Sequence, residues 1–405
     1  MIYWVFHIFL LALLATLFYK KFHSDLSLLV FTGALLLKLA AGLTVGWIFY
    51  FYYGYGDTIM FFEESSRIAR LPFHEYISSL LTPSTYSNSS EPRVHFFTKI
   101  LSFFTLVSGG SYWISSLYLS FISFCSAWYF VITIKKILPS LTKPVIICLL
   151  FIPTIIFWSS GILKDTLAFS SLAFLVGVSI KKHHGQKLNF VEWLIALLCC
   201  FLLFKVKHYL LITFLLFIGT LIFMNFISKS ELKYRVIAFV VLVLSITATQ
   251  FIHPYLKFNR LALTIYENNQ AINGKTDIED KLNIVVESPE FTDILTEVPS
   301  AIQIGLFRPG IFDHTSIWGL LHRIENSILA FLFVISIIFF FKHKPTIDTP
   351  LMVGAFVTIL ILATMLSLSA PNFGTLVRYK NAFLPFFFLI CSILPYRYFT
   401  SKWQV

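Results

Sequence analysis

Charged side chains are scarce in this chain: Asp, Glu, Lys and Arg make up 13% of its 405 residues, and only 20 residues are acidic. A soluble globular domain carries about 25% charged residues. Because 57% of the residues are hydrophobic, we expect lipid rather than water to surround most of the folded chain. The low charge therefore excludes an ordinary soluble enzyme and indicates an integral membrane protein.

Other features that are few or missing exclude further classes. The five cysteines lie inside hydrophobic runs without metal-ligand spacing, so we interpret them as small core residues. The N-terminal run lacks a basic start and a cleavage site, which predicts a retained helix rather than a signal peptide. The net charge is +11, but no soluble segment offers the basic face that nucleic-acid binding requires. We therefore expect no nucleic-acid partner.

Hydrophobic runs long enough to cross about 30 Å of hydrocarbon recur from end to end. We predict an all-α polytopic membrane protein, one domain over residues 1–405, because an isolated span must satisfy its own backbone hydrogen bonds. About eleven transmembrane helices are expected, at Ile2–Tyr19, Leu26–Tyr50, Tyr112–Ile134, Val145–Trp158, Thr166–Ile180, Val191–Phe204, Tyr209–Phe226, Val236–Phe251, Ile328–Phe341, Leu351–Leu368 and Ala382–Leu394.

Basic residues in alternate short connections predict the orientation. The clusters begin at Lys20-Lys21, Lys135-Lys136, Lys181-Lys182, Lys229 and Lys342. Placing all of them in the cytoplasm puts the N-terminus outside and the C-terminus inside. This topology requires Val94–Leu106 to be a helix on the outer surface, because counting it as a span would move Lys135-Lys136 outside.

Two large outer loops follow from this topology, residues 51–111 with surface helices and residues 253–326. Polar residues gather on the same side in these loops and in three shorter segments. The candidate site residues among them are Asp57, Lys164, Asp165, Lys205, Lys207, Arg308, Arg378 and Tyr379. Two carboxylate-bearing turns and several basic segments above a membrane bundle suit an anionic, lipid-linked substrate.

Structural interpretations compete with these functional ones. Asp57 precedes an apolar run, as a helix N-cap does. Lys164 and Asp165 suit a local ion pair or a cap, and Lys205 and Lys207 suit snorkelling at a membrane interface. Lys38 is the one charge near the middle of a long run, a position typical of transporters.

The order of these segments resembles the GT-C superfamily of membrane glycosyltransferases, which includes protein O-mannosyltransferases and aminoarabinose lipid A transferases. Four passages carry the resemblance: Gly56-Asp57 followed by aromatic residues and Ala69, Glu91–Leu101 followed by Gly109-Gly110, Pro153–Asp165, and Arg378-Tyr379 followed by Pro385. Asp57 is followed by Thr58 where the family often has a second acid. Ile2–Tyr19 has no counterpart in the family layout.

The resemblance implies sugar transfer from a polyprenyl-phosphate donor to a glycan, lipid or protein acceptor on the outer face of a bacterial inner membrane. It implies that Asp57 is the general base. Asp165 is expected to orient the acceptor or to join Asp57 around a divalent cation, Mg²⁺ or Mn²⁺. The basic candidates and Tyr379 are expected near the phosphate, with Arg suited to a forked contact.

Two other functions compete with this one. An O-antigen or exopolysaccharide polymerase or ligase would use a lipid diphosphate, which leaves more readily and needs no base of the Asp57 kind. A transporter of lipid-linked glycans would show charged or broken helices at mid-membrane depth and an internal repeat, and no repeat is evident. For the transferase, we predict that Asp57, Asp165 and Arg378 line one cavity open to the outer leaflet.

Overall fold

The computed structural model describes residues 2–22, 25–82, 91–229, 231, 233–234, 257–274, 276, 281–282, 284, 286–313, 319–343 and 348–402. These residues are mostly helical, which confirms the predicted all-α class for them. The chain divides into two compact units, residues 1–212 and 213–405. That it forms a single domain stays a prediction.

In the first unit, helix α6 is almost entirely buried and packs against five other helices, α1, α2, α5, α7 and α9. A π-helical turn, Ile48–Tyr53, extends α2. The helices are α1 (Ile2–Phe22), α2 (Leu28–Trp47), α3 (Asp57–Ala69), α4 (Phe73–Leu81), α5 (Pro92–Val107), α6 (Tyr112–Ile137), α7 (Thr142–Leu150), α8 (Pro153–Trp158), α9 (Lys164–His183) and the first part of α10 (Phe190–Lys229).

In the second unit, α14 packs against α12, where the Ser367 hydroxyl donates to the Ala301 carbonyl at 2.8 Å. The side chain of Asn372 caps α15 by accepting from the Thr375 N–H at 2.9 Å. The helices are α11 (Phe258–Asn273), α12 (Phe291–Phe307), α13 (Gly319–His343), α14 (Thr349–Ser369), α15 (Phe373–Lys380) and α16 (Leu384–Lys402).

Six helices in the described ranges are long and apolar enough to cross a membrane, or seven if α15 and α16, bent by 67°, form one span. They are Tyr3–Phe22, Leu28–Tyr53, Tyr112–Ile137, Phe190–Ser228, Gly319–Lys342 and Thr349–Ser369. These helices are those expected of a multi-pass membrane protein. The prediction of about eleven spans is not confirmed.

The differences have local causes. The predicted span Val145–Trp158 is divided into α7 and α8, because Pro153 cannot continue a helix and disfavours helical geometry in the residue before it. Thr166–Ile180 lies within α9, which starts and ends on charged residues and is not among the candidate spans.

The predicted spans Val191–Phe204 and Tyr209–Phe226 belong to one long helix, α10, which is broken at Lys207 (φ −147°, ψ 72°). The expected outer segment between them is therefore a kink rather than a loop. The predicted span Val236–Phe251 lies outside the described residues.

The two predicted loops are largely helical. Residues 51–111 contain α3, α4 and α5, and α5 covers the predicted helix Val94–Leu106. None of these three helices is a candidate span, while their location on the outer surface stays a prediction. Residues 253–326 contain α11, α12 and the start of α13.

Candidate functional site

Asp57 is the first residue of α3, and Gly56 occupies the N-cap position before it. The interpretation of Asp57 as the N-cap residue is therefore wrong by one position. A carboxylate in the first turn still interacts favourably with the helix dipole. Asp57 is half-buried, whereas the next residue, Thr58, is buried and hydrogen-bonded to the Tyr112 hydroxyl of α6. The bond to α6 fixes the start of α3.

Lys164, the first residue of α9, reaches the face of α3 that carries Asp57. The ammonium group of Lys164 is 5.1 Å from the ring centroid of Phe61. Phe61 follows Asp57 by four residues, and such pairs are neighbours about 5–6 Å apart on a helix surface. The structure thus brings Asp57 and Lys164, which are far apart in sequence, into one neighbourhood.

Glu64 is a second carboxylate of α3 that the sequence analysis did not select. It follows Phe61 by three residues, so it lies on the same face as Phe61 and Asp57. Its side chain is buried, and burial of a carboxylate in a membrane protein is costly unless it interacts with other groups. The sequence could have indicated Glu64 through its helical spacing from Asp57.

The turn between α8 and α9, Ser159–Leu163, is buried rather than exposed as an outer turn is expected to be. The Gly161 N–H donates to the Ser120 hydroxyl at 2.9 Å, and the Thr166 hydroxyl donates to the Gly161 carbonyl at 3.0 Å. Gly161 has φ +74°, a conformation that favours glycine. The turn is therefore built into the bundle, and it fixes the start of α9.

Asp165, in the first turn of α9, forms a salt bridge with Lys207. Both side chains are buried, with 4% and 9% of their surface exposed, so little water screens the pair. Lys207 is also the residue at which α10 departs from helical geometry. The kink therefore coincides with the ion pair that joins α10 to α9.

The predicted pair Lys205 and Lys207 is separated by the structure. Lys205 is exposed, and its ammonium group lies 5.9 Å from the rings of both Phe201 and Phe204 in its own helix. This position agrees with snorkelling along an apolar surface. Lys207, two residues on, is buried with Asp165.

Lys38 is a charged residue whose contacts the sequence did not reveal. It is buried in α2, donates to the Ser159 hydroxyl and lies 4.8 Å from the ring of Phe169 in α9. One helical turn on, the Gly42 carbonyl accepts from the Ser116 hydroxyl at 2.9 Å. Lys38 therefore contacts the buried turn directly. In the sequence, its position mid-way along a hydrophobic run was the feature that pointed to a buried polar partner.

We call Asp57, Lys164, Asp165, Lys207 and Lys38 the first-unit cluster. A divalent cation between Asp57 and Asp165 does not suit it well, because the Lys207 ammonium already neutralises the Asp165 carboxylate. Repulsion between that ammonium and a second cation would weaken binding. The binding of Mg²⁺ or Mn²⁺ by Asp57 and Asp165 stays a prediction from the sequence.

In the second unit, Arg308 follows α12 in a turn centred on Asp313. Arg308 Nε lies 2.6 Å from the Asp313 carboxylate, which also accepts from the Gly310 N–H at 2.6 Å. The guanidinium group is 5.8 Å from the ring centroid of Phe373, at the start of α15. Arg308 is therefore held beside the helix that carries Arg378 and Tyr379.

Lys380 is buried at the end of α15 and supports this turn. Its ammonium group donates to the carbonyls of Leu306 and Arg308, at 2.9 and 3.0 Å, and to the Asn326 side chain at 3.1 Å. This role is not evident from the sequence, where Lys380 is one more basic residue after Arg378. Arg378 and Tyr379 themselves are half-buried.

No protein-family model matches this chain, and no curated protein or solved structure is a significant match to it. The resemblance to GT-C enzymes therefore stays an expectation from sequence. Of the predicted site residues, Asp57, Lys164, Asp165, Lys205 and Lys207 belong to the first unit, where Lys164 contacts the helix of Asp57 through Phe61 and Asp165 pairs with Lys207. Arg308, Arg378 and Tyr379 belong to the second unit. The cavity expected to join Asp57, Asp165 and Arg378 stays a prediction.

Proposed function

We propose that this chain is an integral-membrane glycosyltransferase that transfers a sugar from a polyprenyl-phosphate donor to an acceptor on the outer side of the bacterial inner membrane. The observation that carries the proposal is the first-unit cluster, in which the half-buried Lys164 contacts Phe61, one helical turn from the half-buried Asp57, and the buried Lys207 pairs with Asp165. Acyl transfer or redox chemistry has no comparable support among these residues.

The proposed reaction needs a base and a cationic site. An acceptor hydroxyl oxygen forms a bond to the anomeric carbon while the bond from that carbon to the phosphate oxygen breaks. The hydroxyl proton passes to the Asp57 carboxylate, and the electron pair leaves with the polyprenyl phosphate. Asp57 suits the role of base because it is half-buried and so more accessible to an acceptor than Asp165, which is buried with Lys207.

Developing charge on the phosphate requires positive groups placed in advance. Lys164 opens α9, so its charge adds to the positive end of the helix dipole. That Arg308, Arg378 and Tyr379 contact the same phosphate stays a prediction from the sequence. Arg308 is oriented by Asp313 and Phe373, although the Asp313 carboxylate offsets part of its charge.

The direct test gives purified protein a labelled polyprenyl-phosphate sugar with a panel of acceptors and measures labelled product. A lipid-diphosphate sugar in a parallel reaction distinguishes a transferase from a polymerase or ligase. Product from the monophosphate supports the proposal. Product from the diphosphate alone, or from neither donor, overturns it.

A transporter of lipid-linked glycans is the second candidate, favoured by two observations. Lys38 is a buried charge within a candidate span, and α10 is broken at Lys207 within another. Charged residues and interrupted helices mark substrate pathways in transporters. Reconstituted vesicles that move a labelled lipid-linked glycan between leaflets without forming product would favour this candidate.

A further inference from the structure

Two large apolar side chains are exposed in the turn that follows Arg308. Ile311 is 60% exposed and Phe312 is 93% exposed. Neighbouring exposed hydrophobic residues in a polar turn favour an apolar environment, which the described residues of the chain do not supply. The turn, Gly310–Asp313, is therefore a candidate for contact with something outside the chain.

The shape of this turn is fixed by hydrogen bonds. The Asp313 carboxylate accepts from the Gly310 N–H at 2.6 Å, and the Asp313 N–H donates to the Gly310 carbonyl at 3.1 Å. Arg308 pairs with the same carboxylate at 2.6 Å. These contacts hold the turn in a conformation that leaves Ile311 and Phe312 exposed.

The turn is also tied to the first two turns of α13, a candidate span. Arg323 Nη1 donates to the Asp313 carbonyl at 2.8 Å, and Asn326 Nδ2 donates to the Pro309 carbonyl at 3.0 Å. The polar stretch His322–Asn326 gives way to the apolar run of α13 at Ile328. We expect the edge of the hydrocarbon near this change, which would place the turn at headgroup level.

We propose that the Gly310–Asp313 turn is a membrane anchor whose partner is bilayer phospholipid. Ile311 and Phe312 enter the boundary between headgroups and acyl chains. Arg308, with 37% of its side chain exposed, lies at the level of the lipid phosphates. Because Asp313 offsets one charge, Arg308 and Arg323 together leave the turn one positive charge, which is complementary to the phosphates. The anchor sets the depth of Arg308 in the membrane and does not depend on sugar transfer.

Spin labels test this depth in the full-length protein reconstituted into phosphatidylethanolamine and phosphatidylglycerol nanodiscs. Phe312→Cys and Ile311→Cys are labelled, and collision rates with oxygen and with a water-soluble nickel complex are compared. Phe331→Cys, at a 65% exposed position in the apolar part of α13, is the lipid reference. Glu290→Cys, at an exposed position in a polar stretch, is the water reference. The unsubstituted protein gives the background from the five native cysteines.

The label at Phe312 is expected to give an oxygen-to-nickel ratio several-fold above that at Glu290 and to approach the value at Phe331. Because Phe312 is almost fully exposed, its replacement removes little packing and leaves the fold intact. A ratio at Phe312 equal to that at Glu290 overturns the proposal. Immobilisation of both labels together with low oxygen and low nickel collision rates also overturns it, since a protein partner or second copy would then cover the turn.

Discussion

At the scale of single residues, burial separates two lysines that stand two positions apart. Lys207 is 7% exposed and paired with Asp165, whereas Lys205 is exposed and lies over rings of its own helix. Removing one partner of a buried ion pair leaves a charge without compensation. An exposed lysine contributes little to stability. The same substitution at the two positions therefore has different consequences.

Lys207→Met is expected to destabilise the protein by about 3–5 kcal/mol, because Asp165 then remains buried without its ammonium partner. Lys205→Met is the matched control and should change stability by less than about 1 kcal/mol. Thermal unfolding in detergent measures the stability of both variants. The double variant Asp165→Asn with Lys207→Met should regain most of the stability that Lys207→Met loses. Equal losses from the two single variants would contradict the assignment of the buried pair.

Arg378→Lys tests the proposed forked contact with the donor phosphate. The substitution keeps the charge and loses the planar guanidinium, so donor binding should weaken while the chemical step changes less. Kinetics of the purified protein should therefore show a higher KM for donor with a smaller change in kcat. An unchanged KM would remove Arg378 from the phosphate site.

At the scale of elements, hydrophobic runs predicted where helices form better than where they break. The run Tyr112–Ile134 predicted α6 to within three residues at its end, because a continuous apolar helix satisfies its own backbone. The break at Lys207 and the buried turn before α9 depend on Asp165 and Ser120, which are distant in sequence. Sequence alone proposed Asp57 and Asp165 as site candidates, which stays a prediction. It did not predict the contacts of Lys38 and Lys380 or the burial of Glu64, because those depend on which helices pack together.

The close approach between the turn at Gly161 and helix α2 gives a prediction at this scale. In Gly161→Ala, the new Cβ would lie 3.1 Å from the Gly42 carbonyl oxygen in a backbone conformation with φ +74°. Gly185→Ala is the matched control, with φ +75° and open space around its Cβ. In both variants, backbone strain should lower the free energy of unfolding by about 1 kcal/mol. Thermal unfolding should show a larger loss for Gly161→Ala, and equal losses would argue against tight packing of the turn.

At the scale of the whole molecule, the basic clusters predict the orientation of the chain. Lys181, in one predicted cytoplasmic cluster, bonds to Glu192 at 2.7 Å and so joins the end of α9 to the start of α10. The first-unit cluster lies at the other end of α9, where Lys164 and Asp165 begin the helix. A membrane-crossing α9 would have its two ends on opposite sides of the membrane. With Lys181 in the cytoplasm, the first-unit cluster at the start of α9 then lies on the outer side.

Cysteine accessibility in whole cells tests this orientation. Glu75→Cys in α4 should react with a membrane-impermeant maleimide in intact spheroplasts, because its loop is predicted to be outside. Gln186→Cys should react only after the membrane is permeabilised, because it follows the Lys181-Lys182 cluster. Both positions are exposed, so burial does not limit either reaction. The reverse pattern would invert the topology and place the cluster in the cytoplasm.

The carboxylate of Asp57 is the central group of the proposed reaction. Its role is tested by measuring the transfer of labelled sugar from a polyprenyl-phosphate donor by wild-type protein and by Asp57→Asn. Loss of a general base should lower turnover by about 10²–10⁴-fold. Because Asp57 is in the first turn of α3, stability should fall by no more than about 1 kcal/mol. The predicted result is therefore a folded protein that transfers almost no sugar. Near-normal transfer by Asp57→Asn would contradict the catalytic role and leave Asp57 as a stabiliser of its helix.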